Sequence, residues 1–317
     1  MLARRYVSVV VAATAVVHLL SSGALWLLLG ERARWPERMT DIRKLPVEDR
    51  ATIAEEYLLT RWSQTDKPKV LVLGDSQMRS HQLAPSLTWS LELQRLLPEY
   101  DVINAAITDG RLTDAVKLLT ILKKHNLRPS VVLQNIDLSH FREDTAPDAG
   151  HLGEGRAWLA NLPPIGAQAV TAFTANLDDI QSLLRGDIIP HWRTASPAPA
   201  FKLRDLPPTQ FAVFEVERFE PVLASFVGHA LAVTSRVLIF AAPLDRTVFA
   251  HYGWSDESIR KDEQRLLERF NHPGIDIIDI APPLEHDDFF DVVHLSPAGG
   301  NHLASRLAPL IRRPPNR

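Results

Sequence analysis

Five short runs of Val, Ile and Leu recur through the second four-fifths of the chain, each bounded by polar or turn-forming residues. They are residues 70–73, 102–104, 131–134, 237–241 and 275–280. None alternates cleanly between apolar and polar positions. Continuous apolar runs of this length fit strands covered on both faces, as in a parallel sheet. Between them the period changes to that of helices. Residues 84–97 place Leu87, Leu91 and Leu96 on one face. Residues 112–125, with Thr113 as the expected cap, 256–270 and 297–311 read as further helices. Strand and helix in alternation predict an α/β fold, a three-layer α/β/α sandwich around a five-stranded parallel sheet of flavodoxin-like type.

Two regions stand outside this rhythm. Residues 6–30 contain no Asp, Glu, Lys or Arg. As a helix they span roughly 37 Å at 1.5 Å per residue, enough for a hydrocarbon core of about 30 Å. No small-x-small cleavage site closes the stretch, so it reads as one retained transmembrane helix rather than a signal peptide. Arg4 and Arg5 precede it; Arg32, Arg34 and Arg38 follow it. This leaves the positive-inside rule nearly balanced. The shortness of the N-terminal tail favours an extracytoplasmic main domain. Residues 31–66 read as a juxtamembrane connector with an amphipathic helix at 47–62. Residues 67–317 form the α/β domain, interrupted at about 141–233 by a Pro-rich insertion that becomes helical near 213–233. Phe211, Phe214 and Phe219 of that insertion suit either core or an acyl groove.

Composition narrows the chemistry. The chain has 317 residues, 45% hydrophobic and 23% charged, which suits a globular core. Its formal net charge of -3 offers no basic surplus for a nucleic-acid partner. The absence of cysteine excludes disulfides, thiolate metal sites and cysteine nucleophiles.

The first strand runs directly into Gly74, Asp75 and Ser76. Gly74 permits a tight exit from the strand. Ser76 would then stand at the carboxyl end of the sheet, where open α/β folds keep their ligand crevice. Backbone N–H groups of the following turn would face the same point. Near the C-terminus, Asp291 and His294 are three residues apart, just before the last helix. In a turn that spacing lets the carboxylate orient one ring nitrogen while the other serves as base for the serine. A serine hydroxyl needs such a partner to act as nucleophile. Ser296 followed by Pro297 also reads as a helix cap, and the two readings are compatible. His286, Asp287, Asp288, Asp291 and His294 crowd together, but at no spacing typical of zinc motifs. No metal and no cofactor is expected.

These blocks resemble the SGNH (GDSL) hydrolase superfamily. Gly74-Asp75-Ser76 is similar to its first block, residues 102–110 ending in Gly110 to its second, and the Asp291/His294 segment continuing to Gly299 to its last. The resemblance implies Ser76 as nucleophile, His294 as general base and Asp291 as its orienting acid. It implies the amides of Ser76 and Gly110 as oxyanion donors, with an Asn side chain as the third. The third block departs from the family. Its Gly is missing, and Asn135 stands one position early, which on a strand turns a side chain to the other face. Whether Asn104, Asn135 or Asp137 lines the crevice stays open.

The anchor and insertion make the chain similar to membrane-anchored SGNH proteins of alginate O-acetylation and teichoic-acid D-alanylation. The function this implies is transfer or removal of an acyl group, such as acetyl, on a cell-envelope polysaccharide, beside a membrane-bound O-acyltransferase. Two alternatives remain: an anchored carboxylesterase or lipase, and a non-catalytic scaffold on the same fold.

Overall fold

The computed structural model describes residues 47–80, 88–107, 110–141, 152, 216–251 and 253–314. The expected transmembrane helix and most of the insertion, including Phe211 and Phe214, lie outside them. Among the described residues no helix is long and apolar enough to cross a membrane.

The apolar runs all form strands: β1 (Lys69–Leu73), β2 (Asp101–Asn104), β3 (Val131–Ile136), β4 (Val237–Ala241) and β5 (Ile275–Ile278). They make one parallel sheet in the order β2-β1-β3-β4-β5. In register, Val70 lies opposite Val102 on one side and Val131 on the other. The side-chain period of two splits each run between two cores. Leu71, Leu73, Ile103, Val132 and Ile239 enter one apolar cluster; Val70, Val72, Val102, Leu133 and Phe240 enter the other.

Helices cover both clusters. The first is closed by α1 (Val47–Trp62), α4 (Leu112–Lys124), α5 (Glu220–Val233) and α7 (Asp256–Leu267). The second is closed by α3 (Trp89–Leu96) and α8 (Pro297–Arg312), which pack on each other. Between these lie two short helices, α2 (Ser76–Arg79) and α6 (Arg246–His251). The chain leaves β1 over the α3 face and leaves β2 over the α4 face. The strand order therefore reverses beside β1, and the crevice opens at the carboxyl ends of β1 and β3.

Two local expectations change. The inner face of α3 is Trp89, Leu93 and Leu97, all buried, whereas Leu91 and Leu96 are half-buried. Trp89 sets this phase, because its indole packs under α8 and donates to the Met78 carbonyl at 2.8 Å. In α4 the first turn is capped by Asp114, whose Oδ2 accepts the Arg111 N–H at 3.0 Å, while Thr113 lies inside the helix. Phe219 is core, stacked edge-on against Phe141 at 5.0 Å.

The helix expected within the connector packs on the sheet. Ala54, Tyr57 and Leu58 of α1 are fully buried, and the Tyr57 hydroxyl donates to the Asn104 carbonyl at 2.8 Å. Tyr57→Phe removes that buried bond without changing the ring. It should lower unfolding stability by about 1 kcal/mol in a denaturant titration; an unchanged midpoint would mean that α1 contributes only apolar contact.

Candidate active site

Ser76 opens α2 directly beyond β1. The strand leaves the sheet through Gly74 at φ 135°, a conformation that L side chains rarely adopt. Space is equally restrictive there: a Cβ on Gly74 would stand 1.9 Å from Asn135 Oδ1. Asp75 caps α2, its Oδ1 accepting the Gln77 N–H at 2.9 Å. The Gln77 side chain reaches across to the Pro243 carbonyl at 2.9 Å, tying the turn to the end of β4.

The imidazole that meets Ser76, His294, comes from near the C-terminal end of the chain. Phe289 and Leu295 are buried and form an antiparallel bridge, which pinches residues 289–295 into a tight loop. Phe290 N–H donates to the His294 carbonyl at 2.7 Å, and Ser296 N–H to the Asp288 carbonyl at 2.8 Å. Inside this loop Asp291 Oδ1 accepts the N–H groups of Val293 and His294, at 3.0 and 2.8 Å. This side-chain-to-backbone turn is what makes a three-residue spacing work outside a helix. Asp291 Oδ2 is left for the ring, 2.7 Å from His294 Nδ1. The other ring nitrogen, Nε2, lies 2.9 Å from Ser76 Oγ. Ser296 accepts the Gly299 N–H at 3.2 Å, so the helix cap and the Asp–His turn coexist.

The Asp291 carboxyl sits below the usual carboxylate range. Burial pushes it up, but the hydrogen bond and charge of His294 and the two backbone N–H groups outweigh burial.

The remaining expected residues take other roles. The Gly110 N–H donates to the Ile107 carbonyl at 2.8 Å, so in this arrangement it is not aimed at an oxyanion. A Cβ at Gly110 would meet the Gly74 carbonyl at 2.6 Å, so this glycine serves the close approach of two loops. Asn135 does not point into the crevice either. Its early position directs the amide at the Gly74–Ser76 turn: Oδ1 accepts the Asp75 N–H at 3.3 Å, and Nδ2 donates to Asp75 Oδ1 at 3.0 Å. Asn104 braces the end of α2, donating to the Met78 carbonyl at 2.8 Å. The amide of Ser76, at the first position of α2, lies beyond the reach of intrahelical bonding.

The crowded segment 286–294 does not converge on one point. His286 Nδ1 pairs with buried Asp245 Oδ2 at 2.6 Å, and Asp288 Oδ1 pairs with His302 at 2.8 Å. Asp245 also donates its N–H to the Val292 carbonyl at 2.9 Å. These pairs hold the Asp291/His294 loop against α6 and α8. Nothing in the sequence announces Asp245, which lies 41 positions from His286.

Two outcomes follow from this geometry. Gly74→Ala adds a methyl where neither φ nor space admits one. It should cost about 2 kcal/mol or more in chemical unfolding and displace Ser76; wild-type stability would contradict the clamp. Asp291 has a depressed folded pKa, so its stabilisation is complete above the ordinary carboxylate value and lost as pH falls through the lowered one. Asp291→Asn should therefore be less stable than wild type at neutral pH. The gap should close in acid, below the ordinary carboxylate range, when thermal midpoints are followed against pH.

No family model matches the sequence, and no curated protein matches it. Solved structures do align. Similar chains include TesA (15% identity, 77% of this chain and 98% of that one, TM-score 0.39). They also include a catalytic mutant of the acetylxylan esterase Axe2 from Geobacillus stearothermophilus (14%, 78% and 95%, 0.40). A third is the psychrotrophic esterase EstA from Pseudoalteromonas sp. (13%, 78% and 100%, 0.38). Identities and TM-scores this low carry no information on chemistry. On its own residues, the Gly74-Asp75-Ser76 turn and the Asp291/His294 turn meet at the carboxyl edge of a parallel sheet, which is the arrangement that the resemblance to the SGNH hydrolase superfamily implies.

Proposed function

We propose that this chain is a serine-dependent acyl-ester enzyme. The observation that carries the reading is the unbroken relay from Ser76 Oγ to His294 Nε2 at 2.9 Å and from His294 Nδ1 to Asp291 Oδ2 at 2.7 Å. Distances in this range permit proton transfer in the ground state. His294 takes the hydroxyl proton as Ser76 Oγ bonds to the ester carbonyl carbon. Asp291 holds the ring in the required tautomer and stabilises the imidazolium that forms. The carbonyl oxygen becomes an oxyanion, for which the Ser76 amide at the first position of α2 is a donor. Collapse returns the His294 proton to the leaving alcohol and leaves an acyl group on Ser76. A second hydroxyl compound then adds by the same steps in reverse, with His294 again as base.

That second compound decides between hydrolysis and transfer. We read the acceptor as a sugar hydroxyl of a cell-envelope polysaccharide and the acyl group as acetyl. The protein is read as held by residues 6–30 in a membrane, with its main domain outside the cytoplasm, beside a membrane-bound O-acyltransferase that supplies the acyl group. The uncharged stretch 6–30 and the long insertion at 141–233 support this, since a soluble esterase needs neither. Gly110 and Asn135 enter the oxyanion role only if substrate draws them from their present partners. With Gly110 bonded to Ile107 and Asn135 to Asp75, the oxyanion hole before substrate arrives is sparse. Missing a donor costs on the order of 10²–10³ in rate in other acyl enzymes. Slow turnover of small activated esters is therefore expected.

The test is p-nitrophenyl acetate turnover together with labelling by a fluorophosphonate probe. Wild type should react with both, and Ser76→Ala should lose labelling and at least about 10³-fold of turnover. Equal turnover in Ser76→Ala would reject the mechanism. Absence of labelling in a folded wild type would favour the scaffold reading.

A further inference from the structure

The relay leaves a second group of ionisable side chains unused. Asp75 follows β1, Asp137 follows β3, and His140 lies in the 3-10 turn Leu138–Phe141 just beyond. β1 and β3 are adjacent, with Leu73 opposite Gln134, so the segments leaving them emerge side by side. One carboxylate oxygen of each Asp and one ring nitrogen of His140 lie within 4.8 Å of one another. Among the described residues this is the group of His, Asp and Glu whose ligand atoms converge in this way.

Asp75 supplies an independent observation. It is 3% exposed. Its Oδ1 is taken up by the Gln77 N–H and the Asn135 amide, at 2.9 and 3.0 Å. Its Oδ2 is buried and has no hydrogen-bond partner. A buried carboxylate oxygen without a partner is rare in folded proteins, because it loses hydration and gains nothing. Here a second carboxylate stands beside it. Burial first, and then the charge of Asp137, push the Asp75 carboxyl up; the charge of His140 and the two hydrogen bonds oppose this without reversing it. Negative charge has thus been gathered out of water with one acceptor left open towards it. A cation is the group that such an arrangement lacks.

We propose that Asp75, Asp137 and His140 bind one divalent transition-metal ion beneath the turn that carries Ser76. Two carboxylate oxygens and one imidazole nitrogen suit zinc, whose sites mix nitrogen and oxygen donors. Calcium and magnesium favour all-oxygen shells, which the imidazole spoils. Donors around a zinc ion at about 2.0–2.2 Å lie closer together than 4.8 Å, so a modest contraction closes the site. Its three protein ligands leave a coordination position for water. The ion would act through Asp75, bracing the Gly74–Ser76 turn from below, as Asn135 does from the side. The site stands whether or not Ser76 attacks esters, and its test reads metal rather than activity.

The full chain, freed of metal with chelator, is titrated with zinc chloride by calorimetry and followed by thermal unfolding. One equivalent should bind saturably and raise the melting temperature. Asp137→Asn and His140→Gln, checked by circular dichroism for the wild-type fold, should each bind at least ten times more weakly. No saturable binding to the folded wild type would overturn the proposal. One-equivalent binding of unchanged affinity in both variants would overturn it too, placing the zinc on other histidines. Should the variants not fold, wild type is modified with diethyl pyrocarbonate with and without zinc, and the sites are mapped by mass spectrometry. Zinc should protect His140; equal modification of His140 in both samples would overturn the site.

Discussion

The contact between Ser76 Oγ and His294 Nε2 joins two residues 218 positions apart, and neither is useful alone. A serine hydroxyl without a base is a weak nucleophile, and an imidazole without an orienting acid has no fixed tautomer. The rest of the domain serves to hold this contact at 2.9 Å. Ser76 is placed by β1, an interior strand flanked by β2 and β3, with Leu71 and Leu73 buried on one face and Val70 and Val72 on the other. His294 is placed by a loop that has no regular structure of its own and must be held from several sides.

Those restraints are mostly polar and mostly buried. Asp245 and Asp288 each use one oxygen on backbone N–H groups and the other on an exposed histidine. Asp291 does the same within the loop, with His294 as its histidine. Asp291 satisfies backbone groups of the loop itself, whereas Asp245 caps the start of α6 and Asp288 holds the Glu285 N–H just ahead of the loop, so the segment is fixed from within and from both flanks. Gly299 completes the arrangement: a Cβ there would come within 2.0 Å of the Asp288 carbonyl, so α8 can only approach the loop closely because this residue is glycine.

On the serine side the restraint is a clamp on Asp75. Asn135 both accepts from the Asp75 backbone and donates to its side chain, so the residue before Ser76 is held at two points. The same clamp leaves Asp75 Oδ2 without a partner beside Asp137. The same contacts that hold the Ser76 turn leave a buried carboxyl whose pKa is pushed up by burial and by the charge of Asp137.

Much of this was legible beforehand. Parallel strands are buried on both faces, so 70–73, 102–104, 131–134 and 237–241 announce themselves as unbroken apolar runs, whatever packs on them. Ser76, Asp291 and His294 were legible because local signals mark them: a strand ending in Gly74-Asp75-Ser76, and a carboxylate three residues before an imidazole. The phase of α3 was not, because it depends on which side chain finds space under α8, and Trp89 outcompetes Leu91 and Leu96. The functions of Gly110, Asn135 and Asp245 were not legible either. Each is set by a partner chosen in three dimensions: the Gly74 and Ile107 carbonyls, Asp75, and His286. Local pattern reports what a residue's own stretch of chain will do, since propensity and period act over a few positions. The direction of a buried amide or carboxylate is decided by desolvation, which depends on whatever the fold brings alongside, and only the assembled sheet determines that.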